Sequence, residues 1–89
     1  MSKEIKVKIG GEVKQGIIDL GTLYRAERLL AKEEESGQIA KTRAIVWAAL
    51  NRVNPDFTLE QVDQIDLPDL ASVASQVEKI LGEIQGGKK

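Results

Sequence analysis

The sequence predicts an α+β fold dominated by helix, with an N-terminal β-hairpin followed by three to four α-helices, and three patterns carry that prediction. Residues 4–9 alternate charged and apolar side chains up to Gly10-Gly11, the period of a half-buried strand entering a turn. Residues 44–50 are seven successive apolar residues inside a run of helix formers, a pattern that clothes a helix on every side. Residues 67–85 place apolar side chains at i, i+3, i+4 and i+7 over several turns. With 89 residues, 42% of them hydrophobic and no composition break, the chain is read as one domain, 1–89.

The hairpin is expected over residues 4–18. Ile5, Val7 and Ile9 share one face of its first strand. A two-residue turn would set Val7 against Lys14 and Ile9 against Glu12. A three-residue loop, Gly10-Gly11-Glu12, instead pairs Ile9 with Val13, Val7 with Gln15 and Ile5 with Ile17, which is the more apolar face and therefore the expected register. Lys6, Lys8 and Lys14 then share the outer face, placed either to bind an anion or, as is commoner on a lone hairpin, to blunt edge-to-edge aggregation.

Helix one is expected over 20–34, capped by Asp19 or Thr22 and ended by the acidic run before Ser36-Gly37. Its apolar stripe reads Leu20, Leu23, Tyr24, Leu30 and Ala31, with Glu27 in the middle, either reaching solvent or meeting a partner. Helix two, about 39–53, contains the apolar run. It must lie at the centre of the domain or give one face to another chain, and Trp47 either fills the core or anchors an interface. Asn54-Pro55 stops it. Thr58 and Gln61 form a capping box that starts a short helix over 58–65. Asp66 and Pro68 open the last helix, over 67–85, which Gly86-Gly87 ends, leaving 86–89 as a flexible tail.

Composition narrows function. The chain has no His and no Cys, so it lacks the common proton shuttle near pH 7, the most nucleophilic side chain, disulfides and thiolate metal sites. No serine has an adjacent base, no phosphate-loop motif is complete, and Asp63, Asp66 and Asp69 lack the glycine and terminal glutamate of a calcium loop. No enzyme activity, cofactor or metal is therefore expected; an enzyme would need a perturbed carboxylate such as Glu27 in a cavity the chain can barely enclose. The longest apolar run, 44–50, is far short of the ~20 residues of a membrane span. The first residues lack the apolar core of a signal peptide, so an unexported, soluble domain is expected. Net charge is −1, but the chain is uneven: residues 1–54 carry 10 basic and 7 acidic groups, residues 55–89 carry 3 and 7.

The order of these elements resembles the small tail assembly chaperones of long-tailed bacteriophages. The likeness rests on Ile18-Asp19-Leu20-Gly21 after the hairpin, then Leu23, Tyr24, Arg25, Ala26 and Glu27 in helix one, and Trp47-Ala48-Ala49-Leu50 in helix two. It extends through residues 54–66, where Pro55, Phe57, Thr58-Leu59-Glu60-Gln61-Val62 and Ile65-Asp66 resemble the family's Pro, apolar, Thr-Leu-Glu-Glu-Val and Leu-Ile-Asp-like phrase. Leu20 stands where many relatives carry an aromatic residue. The resemblance implies a non-enzymatic protein of the host bacterial cytoplasm, absent from the mature virion, that binds the tape-measure protein and promotes assembly of the tail-tube protein. It also implies a longer form made by ribosomal slippage near Gly86-Gly87-Lys88-Lys89.

Partner-binding candidates are Tyr24, Glu27, Ile45, Trp47 and Ala48, and homo-oligomerisation is expected because so small a chain buries little surface alone. The alternative is a nucleic-acid-binding regulator using Lys6, Lys8, Lys14, Lys41, Arg43 and Arg52, although a basic recognition helix and stacking aromatics are missing.

Overall fold

The computed structural model describes residues 3–85. Its elements run β1 (Lys3–Ile9), β2 (Glu12–Ile18), α1 (Leu20–Glu33), α2 (Gln38–Val53), α3 (Leu59–Val62) and α4 (Leu67–Gln85). The fold is thus α+β and helix-dominated, a hairpin followed by four helices. The expected stop at Gly86-Gly87 and the tail 86–89 lie outside the described residues.

The hairpin takes the register that apolar counting rejects. β1 pairs antiparallel with β2 so that Ile9 faces Glu12, Val7 faces Lys14 and Ile5 faces Gly16, across a two-residue Gly10-Gly11 turn. Both turn glycines have positive φ, 58° and 86°, the backbone that matches the twist of a tight hairpin. The decisive position is Gly16. A β-carbon there would lie 3.0 Å from the Ala49 carbonyl carbon and 3.1 Å from a Leu50 methyl, so α2 seats its backbone directly on the strand. The buried face is therefore Ile5, Val7, Ile9, Gly16 and Ile18. Glu12 and Lys14 close its open end as an ion pair of 3.1 Å. Lys14 consequently lies on the face opposite Lys6 and Lys8, and Val13 is exposed.

α2 is the central element, packed on β2, α1, α3 and α4. Ala44, Ile45, Val46, Ala48, Ala49 and Leu50 are all buried, which accounts for an apolar surface on every side. α1 is rotated from the expected phase: Thr22 and Ala26 are its buried residues, while Leu20, Tyr24 and Ala31 are exposed. Small side chains at the contact let α1 lie close to α2, and Thr22 satisfies its hydroxyl by donating to the Ile17 carbonyl oxygen at 2.9 Å. Asp19 is the N-cap, accepting from the Thr22 amide at 2.9 Å, and Glu34 closes the helix in the left-handed conformation with φ of 55°.

The Thr58/Gln61 capping box forms, but the helix it starts is shorter than expected, ending at Val62 in turns that return Gln64 and Ile65 to the carbonyls of Gln61 and Val62. α4 buries Val73, Val77 and Ile80 and runs along β1. Gln76 fastens it there: its Oε1 accepts from the Lys6 amide at 3.2 Å and its Nε2 donates to the Lys6 carbonyl at 3.1 Å. No helix of the described residues is long and apolar enough to cross a membrane.

Candidate functional site: an apolar groove between α1, α2 and α4

Because Thr22 and Ala26 occupy the contact with the body of the domain, several larger residues of α1 fall on its adjacent face. Leu20, Tyr24 and Glu27 follow one another there at helical spacing. With Leu23 and Leu30 they form one wall of an open groove of ≈ 670 Å³; Ile45 and Lys41 of α2 and Leu81 of α4 complete it. Ile45 is buried and forms the floor, Leu23, Leu30 and Leu81 are half-buried, and Leu20 and Tyr24 stand out at 75% and 61% exposure. The Tyr24 ring is steadied by Arg28, whose guanidinium carbon lies 5.8 Å from its centroid. Glu27 and Lys41 bring one charge of each sign to the groove, and neither takes part in an ion pair among the described residues.

Of the candidates named from sequence, Tyr24, Glu27 and Ile45 meet in this groove. Trp47 and Ala48 do not. Trp47 is half-buried beneath Arg25, 5.3 Å from the ring centroid, and Arg25 also donates to Asn51 Oδ1 at 2.6 Å. Asn51 in turn donates to the carbonyls of Pro55 and Phe57, so this cluster holds the α2–α3 connection. Ala48 is 0% exposed and belongs to the core, where its small size serves close helix packing rather than contact with a partner. From sequence, Lys41 is a candidate only for nucleic-acid binding, Leu20, Leu23 and Leu30 only members of an apolar stripe, and Leu81 carries no site signal. Glu27 was the available signal, since a carboxylate in the middle of an apolar stripe marks a face that stays open.

Among the described residues, the basic side chains named for nucleic acid are spread over separate elements and contacts. Arg43 makes a forked contact with Asp63, Nε to Oδ1 at 2.6 Å and Nη2 to Oδ2 at 3.0 Å, which holds the Asp63 carboxyl below the usual carboxylate range. Arg52 Nη1 donates to Asp19 Oδ1 at 2.6 Å, and this contact, with the Thr22 amide, holds Asp19 well below that range. Lys14 is paired with Glu12, Lys6 and Lys8 lie on the other face of the hairpin, and Lys41 stands at the groove. A second, smaller hollow of ≈ 190 Å³ lies between α2, α3 and α4, beside the exposed Ile39 and Leu67.

No protein-family model, curated protein or solved structure matches the chain.

Proposed function

We propose that this protein is a non-enzymatic assembly chaperone that holds an amphipathic helix of its client in the groove between α1, α2 and α4. The observation that carries the reading is the exposure of two large apolar side chains, Leu20 and Tyr24, on the lip of a groove floored by Ile45. From Leu20 to Leu30 the α1 wall extends about 15 Å, enough to receive two to three turns of a helix through anchors at i, i+4 and i+7. Glu27 and Lys41 suit a helix with a basic residue on one flank of its apolar stripe and an acidic one on the other.

The resemblance names the client as the tape-measure protein of a long-tailed phage, handed to tail-tube subunits in the bacterial cytoplasm, with the chaperone left out of the finished virion. Dispersal of the basic residues, with Arg43, Arg52 and Lys14 already paired to carboxylates, speaks for this reading over a nucleic-acid regulator.

Co-expression with a tape-measure protein, which the proposal expects among the neighbouring reading frames, tests it. The two proteins are expected to copurify with little dependence on salt, and Leu20→Asp or Tyr24→Asp is expected to abolish capture while leaving the fold intact. Tight binding to DNA or RNA that weakens steeply with salt, without tape-measure capture, overturns it.

A further inference from the structure

The two edges of the hairpin are treated differently. Lys6 turns its amide and carbonyl away from β2, because both are bonded to the Gln76 side chain. Lys6 is therefore a non-hydrogen-bonded pair with Gln15, and by alternation Val13, Gln15 and Ile17 point their own amides and carbonyls outward from the far edge of β2. The Ile17 carbonyl is taken by the Thr22 hydroxyl, where the first turn of α1 begins. Among the described residues nothing bonds the outward groups of Val13 and Gln15, and both residues are exposed. One edge is thus sealed by α4 and the other is open over a short run.

We infer that the open edge of β2 pairs antiparallel with the same edge of a second copy of this chain, joining two hairpins into one four-stranded sheet. Two registers use the free residues. One is centred on Lys14 and sets it against the partner's Lys14, a like-charge contact across adjacent strands. The other is centred on Val13, which exchanges both backbone bonds with the partner's Val13 and packs side chain to side chain with it. In that register Glu12 lies opposite the partner's Lys14 and Lys14 opposite the partner's Glu12, as close non-hydrogen-bonded pairs. The Glu12–Lys14 contact of 3.1 Å within one strand shows that the two side chains already share a face, so the symmetric pairing builds a four-charge network of alternating sign. The charge pattern of the strand is self-complementary about Val13.

Val13→Pro separates this edge from the hairpin itself, because the Val13 amide it removes points away from β1. The wild-type chain is expected to shift from monomer to dimer in sedimentation across about a hundredfold range of concentration. The amide of Val13 gains protection from hydrogen exchange in step. Val13→Pro stays monomeric with an unchanged circular dichroism spectrum. Glu12→Lys, which makes both cross-strand contacts repulsive, weakens dimerisation by roughly tenfold or more, and the exchange Glu12→Lys with Lys14→Glu restores it. A dimer that survives Val13→Pro, or a wild-type chain that stays monomeric while Val13 exchanges freely at every concentration, overturns the inference.

Discussion

Helices α1 and α2 pack along each other, yet α2 hides Ala44, Ile45, Val46, Ala48, Ala49 and Leu50 while α1 hides only Thr22 and Ala26 and turns Leu20 and Tyr24 outward. The difference follows from how closely the elements approach. α2 lies on β2 at a glycine and packs against α1, whose buried residues are an alanine and a threonine, so the closest contacts are made by the smallest side chains. Leu20 and Tyr24 of α1 are displaced to the rim, and with the half-buried Leu23 and Leu30 they make a groove. Size, and not hydrophobicity alone, decides which residues become core and which become surface.

Substitutions that exchange these roles should fail in graded ways. The largest effect is expected at Val46 in α2, 0% exposed: Val46→Asp buries an unpaired carboxylate and costs about 4 kcal/mol or more, enough to unfold so small a domain. Thermal and urea melts check it. Adding volume at a close contact comes next. Gly16→Ala forces a β-carbon to 3.0 Å from the Ala49 backbone and is expected to lose about 1–2 kcal/mol net of the entropy an alanine saves in the unfolded chain. Gly82→Ala in α4, with nothing within 4 Å, is expected to gain about 0.5–1 kcal/mol in the same assay. If both glycine replacements move stability in the same direction, the close seating of α2 on β2 is wrong.

A pH titration probes the joint between the two helices. Asp19 caps α1 and pairs with Arg52 near the end of α2, and its folded pKa lies below its unfolded value. Its contribution is therefore fully present above the ordinary carboxylate pKa of about 4 and is lost as pH falls below it. Asp19→Asn keeps a good N-cap but not the charge. Urea melts at stepped pH should show wild-type stability falling toward that of the variant below about pH 4. A gap between the two proteins that does not narrow on acidification disproves the coupling. The smallest effect on stability belongs to the rim: Leu20→Asp, at a 75% exposed position, should change it by less than about 0.5 kcal/mol.

Where local chemistry decides structure, the sequence was legible. The start of α1 at Asp19 or Thr22, the Thr58/Gln61 box, the order of the elements and the phase of α4, with Val73, Val77 and Ile80 inward, can all be read from residues a few positions apart, and the structure selects Asp19 as the cap. The hairpin register and the rotation of α1 cannot. Both depend on how near α2 approaches, and a count of apolar partners assigns no weight to Gly16, Thr22 or Ala26, the residues that permit the approach. The groove was half-visible for the same reason: Tyr24, Glu27 and Ile45 were singled out from α1 and α2, but Leu81 comes from an element whose position relative to them is not encoded in spacing.

The contact between Gln76 and Lys6 also bears on synthesis. These residues are separated by 70 positions, so the emerging chain carries its hairpin long before the side chain that closes the β1 edge has been made. Through that interval both strand edges are open, and a nascent hairpin on one ribosome can meet another on its neighbour along the same message. Completion of α4 closes the β1 edge, so that edge is protected only once residues 67–85 have been made.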